Sequence, residues 1–253
     1  MNSGDIKKKH DSEMFFFDKT FGQKKQGSNL YDLGFKSIIT NKFIQKLGNL
    51  EGKKVLELGC GRGWFTKILA TMGAEVWTFD ISAEAVRETR SMAEKLNFQD
   101  KVHVGQMPAE KLTYDSGMFD IVVGNAILHH LDLNTSVKQI RRVLRKGGKA
   151  YFMEPLGHNP LLNLYRWITP HLRTDDEAPM LIEQFTIFED NFTKFEHEEY
   201  YLTALFALLW YIIGVKSQIL RTRDFLFRLD ELILKAFPFA KRYCWYSILE
   251  FEK

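Results

Sequence analysis

Apolar positions change their period several times along the chain, and each change marks an element. Phe35, Ile38, Ile39, Phe43 and Leu47 recur at helical spacing from Leu33 onward, which predicts an amphipathic helix ending near Gly48. The run Lys53-Lys54-Val55-Leu56-Glu57-Leu58 reads instead as a short buried parallel strand, stopped by a cluster of glycines. Phe65, Ile68, Leu69 and Met72 fall on one helical face and predict a helix ending before Gly73. Further strands are predicted over 75–80, 101–104, 119–124 and 149–153. Between them, a helix capped by Ser82 carries Val86, Ala93 and Leu96. Another carries Val137, Ile140, Val143 and Leu144 and is closed by Arg145-Lys146-Gly147-Gly148, basic residues suiting the negative helix end and glycine the C-cap. Strand and helix units of this length imply a parallel sheet covered on both faces.

Beyond Glu154 the pattern breaks. Gly157, Pro160, Pro170 and Pro179 interrupt short apolar runs over 156–180, as in a lid of short helices. A sixth strand is predicted over 195–202 and a seventh over 242–251, with an apolar helical insertion at about 204–238 between them. The fold expected is α/β, a three-layer sandwich around a seven-stranded, mostly parallel sheet with an antiparallel last strand. At the other end, Lys7-Lys8-Lys9-His10 precedes the knot Met14-Phe15-Phe16-Phe17. Two readings stand: a solvated tail with an aromatic anchor, or a mobile flap over the site that includes Tyr31.

Composition narrows this little. The 253 residues are 45% hydrophobic, enough for one large core with an appendage, and no internal repeat is visible. With 35 basic and 32 acidic residues, the net charge of +3 does not drive non-specific nucleic-acid binding. Cys60 and Cys244 are the two cysteines, too few for a disulfide framework or a cysteine metal site, so no metal is expected and a cytoplasmic setting is. The polar N-terminal stretch has no apolar h-region, so no secretory signal is expected.

The strongest chemical signal is the turn Glu57-Leu58-Gly59-Cys60-Gly61-Arg62-Gly63. Glycines directly after a strand and opening a helix bring a ligand against the helix N-terminus without side-chain obstruction. Asp80, ending the next strand, is placed to accept hydrogen bonds from ribose hydroxyls, or else to cap a helix beside Ser82. A nicotinamide dinucleotide would suit these facts too. Glu57 argues against it, since an acid there repels a pyrophosphate but favours the ammonium of methionine, and the Gly-Xaa-Gly-Xaa-Gly spacing lacks the dinucleotide fingerprint's further glycine.

Val55-Leu56-Glu57-Leu58-Gly59-Cys60-Gly61-Arg62-Gly63 resembles the first motif of class I, Rossmann-like S-adenosylmethionine-dependent methyltransferases. Asp80 matches their ribose-binding acid, Phe119-Asp120-Ile121-Val122 their fourth strand, and Leu144-Arg145-Lys146-Gly147-Gly148 the turn before their fifth. The resemblance spans 53–154. It implies a cofactor site of Glu57, Gly59, Cys60, Gly61, Gly63, Asp80, Ile81, Asn125 and the adenine-bordering Pro108, Ala109 and Glu110, with S-adenosylhomocysteine as product. Pro108 departs from the pattern, where many relatives place an aspartate. The implied domains are an N-terminal helical cap (1–50), a cofactor-binding core (51–155), a substrate lid (156–190) and the last strands with their insertion (191–253).

Methyl transfer is an in-line displacement that chiefly needs alignment. His129 follows the fourth strand as a general base or as a loop-fixing group; Glu154, with His158, either orients an acceptor hydroxyl or caps the lid. Tyr165, Trp167, His171 and Arg173 supply substrate contacts or lid packing. The amino-methylating motif Asn-Pro-Pro-Tyr is absent at Asn125, and no basic patch interleaves with aromatics in the core, so nucleic acid is demoted and a small or lipid-like acceptor favoured, such as a quinone precursor, natural product or lipid-linked glycan. The stretch 201–215 is apolar but shorter than the ~18 residues of a membrane span. Lys216, Arg221, Arg223 and Arg228 then interleave with apolar residues. Across 201–238 this reads as a membrane-surface anchor, a hydrophobic lid or a homodimer interface. A cofactor-binding protein without catalysis, and a dehydrogenase, are the alternatives in other classes.

Overall fold

A computed structural model describes residues 3–22, 35–170 and 178–253. Leu33, Tyr31, His171 and Arg173 lie outside the described residues. In chain order, α1 (Ser3–Gly22) and α2 (Phe35–Leu47) precede the alternation β1 (Lys54–Leu58), α3 (Trp64–Thr71), β2 (Glu75–Asp80), α4 (Ala83–Lys95), β3 (Val102–Gln106) and β4 (Phe119–Asn125). Then follow α5 (Leu133–Val143), β5 (Leu144–Pro155), α6 (Pro160–Ile168), α7 (Thr186–Asn191), β6 (Lys194–Tyr200), α8 (Leu209–Ile212), α9 (Ile219–Ala236) and β7 (Tyr246–Glu252).

The seven strands form one sheet in the order β3-β2-β1-β4-β5-β7-β6, as expected for this α/β class. β7 runs antiparallel to both its neighbours and the remaining pairs are parallel. Period-two alternation feeds two cores. Val55, Val123, Tyr151, Met153 and Ile248 meet α2, α3 and α9 on one face. Leu56, Val122, Phe152, Leu249 and Phe251 meet α5 and α7 on the other. Phe43 of α2, fully buried against Phe65 of α3 at 5.5 Å between rings, is worth about 3–5 kcal/mol against truncation. Because β1 pairs with β2 on one side and β4 on the other, the chain reverses its direction of travel there. The crevice beyond the C-terminal ends of β1 and β4 is where open α/β sheets bind ligands.

Three expectations are corrected. The N-terminal stretch is a 20-residue helix, α1, and not a tail. The turn Arg145-Lys146-Gly147-Gly148 does not cap α5: the helix stops at Val143, and Lys253 Nζ donates to the Leu144 carbonyl at 2.6 Å. Antiparallel β7 brings the last lysine back to that negative helix end, while Gly147 bonds to the Lys253 carbonyl. The seventh strand begins at Tyr246, because a 3-10 turn over Pro238–Tyr243 carries Arg242 outward to Glu183 at 2.6 Å. The 204–238 insertion is a 3-10 turn (Ala204–Leu208), short α8, a second 3-10 turn (Lys216–Gln218) and the 18-residue α9.

Candidate active site

The glycine turn is built by its neighbours. Gly59 and Cys60 donate their amides to the Phe79 carbonyl at 3.1 and 2.9 Å, tying the turn to the end of β2. Gly59, Gly61 and Gly63 all hold positive φ, at 75°, 49° and 74°. A Cβ on Gly59 would come within 3.0 Å of Ile127 Cδ1, and one on Gly63 within 2.9 Å of Met92 Cε. Gly59 thus keeps space open beside the loop after β4. Gly63, predicted as a ligand contact, does not line the cavity; it lets α4 pack against the start of α3.

Glu57, Gly59, Cys60, Gly61, Asp80, Ile81, Pro108, Ala109, Glu110 and Asn125 all line one cavity of about 600 Å³, within the range of ordinary cofactor pockets. Asp80 accepts from the Gly61 amide through Oδ2 and from the Ser82 amide through Oδ1, each at 3.0 Å, and burial raises its pKa. The helix-capping role falls to Ser82, which accepts from the Ala85 amide. Asp80 therefore braces the glycine turn while lining the cavity. Glu57 accepts from Thr66 Oγ1 at 2.5 Å; burial, with the nearby charge of Asp80 adding, pushes its carboxyl up to about 8.

Sequence reasoning offered the N-terminal segment as a flap over the site but assigned none of its residues to the opposite wall. His10, Glu13, Phe17 and Thr20 of α1 line the cavity. His10 Nε2 meets Glu110 Oε2 at 3.0 Å, Glu13 Oε1 meets His130 Nδ1 at 3.3 Å, and Arg62 donates to the Thr20 carbonyl at 3.1 Å. Asp18 accepts from Ser82 Oγ and from the Glu84 amide. The spacing of His10, Glu13, Phe17 and Thr20 is helical, but the face is mostly polar, so hydrophobic periodicity does not reveal it.

The loop after β4 supplies Asn125, Ala126, Ile127, His130 and Leu131 to the cavity. Ala126 holds φ at 55°, a conformation alanine rarely adopts, fixed by its amide bond to the Met153 carbonyl at 2.8 Å. Glu154 sits fully buried behind this loop. Its Oε1 accepts from the Ile127 and Leu128 amides at 2.9 and 2.8 Å, and its Oε2 meets His129 Nδ1 at 2.7 Å. Neither His129 nor Glu154 lines the cavity: the pair holds the loop, which fits the loop-fixing reading of His129 and a structural role for Glu154, though Glu154 anchors this loop and not the lid. His158 is likewise elsewhere, its Nε2 paired with Glu183 Oε2 at 2.9 Å. Among the described residues no cluster of ligating side chains is suited to a metal ion.

Residues 56–152 match the family described as "Methyltransferase domain". The ubiquinone biosynthesis O-methyltransferase of Acinetobacter baumannii (strain AYE) is 30% identical over 126 residues, 49% of this chain and 53% of that protein. The chain thus spans about half the length of the curated relatives it matches. Geranyl diphosphate C-methyltransferase from Streptomyces coelicolor A3(2), solved with S-adenosyl-L-homocysteine, shares the fold at TM-score 0.61 and 15% identity, over 92% of this chain and 86% of that one. The cyclase SpnF shares it at TM-score 0.62 and 13% identity, over 97% and 95%.

The sheet order and the glycine turn are those of the class I, Rossmann-like S-adenosylmethionine-dependent methyltransferase fold, and residues 56–152 are similar to a methyltransferase domain.

Proposed function

We propose that the protein transfers a methyl group from S-adenosylmethionine to an oxygen or carbon nucleophile of a hydrophobic, lipid-like small molecule. The observation that carries this reading is the single cavity shared by the glycine turn, the buried carboxyls Glu57 and Asp80, and the histidine His130. These groups fit the cofactor. Glu57 would take the methionine ammonium, a partner that offsets the cost of ionising a buried carboxyl. Asp80, already braced by the Gly61 amide, would take the ribose hydroxyls, with Pro108, Ala109 and Glu110 along the adenine. When bound, the cofactor supplies an electrophilic methyl on a sulfonium sulfur.

The chain's own part is alignment and proton handling. The loop of Asn125, Ala126 and Ile127 is set by Glu154 and His129, so the position of an acceptor against it is fixed before binding. His130, whose Nδ1 lies 3.3 Å from Glu13 Oε1, is the cavity histidine that would take the acceptor's proton. Support for an oxygen acceptor comes from the ubiquinone biosynthesis O-methyltransferases, which match half of the chain.

Incubation with methyl-labelled cofactor and fractionated lipid extract tests the reading. Label is expected in an organic-phase product and should fall at least tenfold in His130→Ala. Tight binding of S-adenosylhomocysteine with no label transferred to any fraction would overturn it. That result would favour the second reading, a cofactor-binding protein with other work, since one fold hosts unrelated functions and a cyclase shares this one.

A further inference from the structure

Helix α9 has two apolar faces, and the fold covers one. Ile219, Phe227 and Leu234 are buried, and Asp230 between them accepts from the amides of Leu202, Thr203 and Ala204, which fixes the helix to the end of β6. On the other side Phe225, Leu229 and Leu232 stand 68%, 37% and 68% exposed, and Phe237 and Phe239 extend them beyond the helix end at 54% and 72%. At 100° per residue this outer stripe lies next to a second one made of Arg221, Arg228 and Lys235, spaced by seven residues. All three cations are exposed, and none has a carboxylate within ion-pair distance among the described residues. The acids of the helix are already paired: Asp224 with Arg223 at 2.6 Å and Glu231 with Lys42 at 3.5 Å. The helix thus presents an apolar stripe with unpaired cations to solvent, while its exposed acids Asp224 and Glu231 are held in ion pairs and Asp230 is buried.

We infer that this face docks on the headgroup boundary of an anionic bilayer, with α9 lying in the membrane plane and Phe225, Leu232 and the neighbouring phenylalanines in the acyl boundary. No described helix is long and apolar enough to cross a membrane, so the contact is with one surface. A second copy of the chain fits the face less well. A twofold axis through the middle of α9 would set Arg228 against its own copy and Arg221 against Lys235, while the nearby acids Asp224 and Glu231 are already paired with Arg223 and Lys42 of their own chain. The inference deepens the proposed reaction by giving access to a bilayer-dissolved acceptor, yet the docking itself needs no methyl transfer.

Flotation of the full chain with acceptor-free vesicles tests it, comparing phosphatidylglycerol–phosphatidylcholine mixtures with phosphatidylcholine alone. Binding is expected to the anionic vesicles, weakened by salt and by about fivefold for each of Arg221→Gln and Arg228→Gln. The double substitution Phe225→Ser with Leu232→Ser should reduce it further while leaving S-adenosylhomocysteine affinity unchanged, since both side chains are exposed and outside the cavity. Absence of flotation at low salt, or flotation indifferent to these substitutions, overturns the inference. So does a concentration-dependent dimer that Phe225→Ser dissolves without any vesicle binding. Lost flotation with label transfer intact leaves the proposed reaction standing; retained flotation without label transfer does the reverse.

Discussion

The two walls of the cavity are made differently. On one side the ends of β1, β2 and β4 form a wall of backbone: amides of Gly59 and Cys60 on the Phe79 carbonyl, Asp80 on the Gly61 amide, Glu154 on two amides of the next loop. On the other side a single helix, α1, reaches the cavity through side-chain contacts such as His10 to Glu110 and Asp18 to Ser82. Backbone held by a sheet is preformed and costs no ordering on binding. A helix attached chiefly by side-chain contacts opens at smaller cost than a sheet. The contrast predicts a division of labour in which the sheet wall sets affinity and α1 sets exchange.

The largest expected effect breaks the sheet wall. Gly59→Ala places a Cβ against Ile127 at a positive φ, each a separate penalty, and should lower affinity for S-adenosylhomocysteine about a hundredfold by calorimetry. An affinity within threefold of the parent would show that the turn is more compliant than its bonds imply.

A smaller effect separates charge from shape on the same wall. Glu57 ionises at about 8 in the ligand-free protein because burial disfavours the anion, whereas a bound ammonium favours it. Affinity should therefore climb as pH rises towards 8, by at most tenfold per unit, and level off above. Stability of the ligand-free protein runs the other way. Its folded pKa lies above the ordinary 4.5, so Glu57 favours the fold most below pH 4.5 and loses that contribution as pH rises through 8. Glu57→Gln should flatten both profiles, read by calorimetry and by thermal melting across pH 5–9. A binding profile as steep as the parent's would remove Glu57 from the ammonium's site.

Legibility in the sequence follows the same contrast. Where a residue's role comes from backbone geometry next to a strand, local pattern was enough: Gly59, Gly61 and Asp80 stand where their spacing put them. Where a role depends on which of two adjacent residues faces inward, it was not. His129 and His130 are neighbours in one short turn, yet the former meets Glu154 behind the loop and the latter meets Glu13 at the cavity. That choice is made by α1, which lies more than a hundred residues away in sequence. Lys253 at the end of α5 is a similar case, a cap brought by sheet topology. The pairing of β7 between β5 and β6 creates it, and no local motif announces it.

The smallest effect tests whether α1 governs exchange. Asp18 joins α1 to the start of α4 through Ser82 and the Glu84 amide, so Asp18→Ala removes one attachment and leaves the cap from Ser82 to the Ala85 amide in place. Losing hydrogen bonds to a partly exposed carboxylate is worth about 1 kcal/mol, which corresponds to a three- to fivefold faster release of S-adenosylhomocysteine. Trp64 lines the cavity and provides a fluorescence signal for stopped-flow measurement. The melting temperature should stay within a degree or two, because Asp18 supports neither core. If release keeps the parent rate while Gly59→Ala still weakens binding, α1 is a fixed wall like the other. If release quickens without a matching fall in the association rate, α1 is the side that opens.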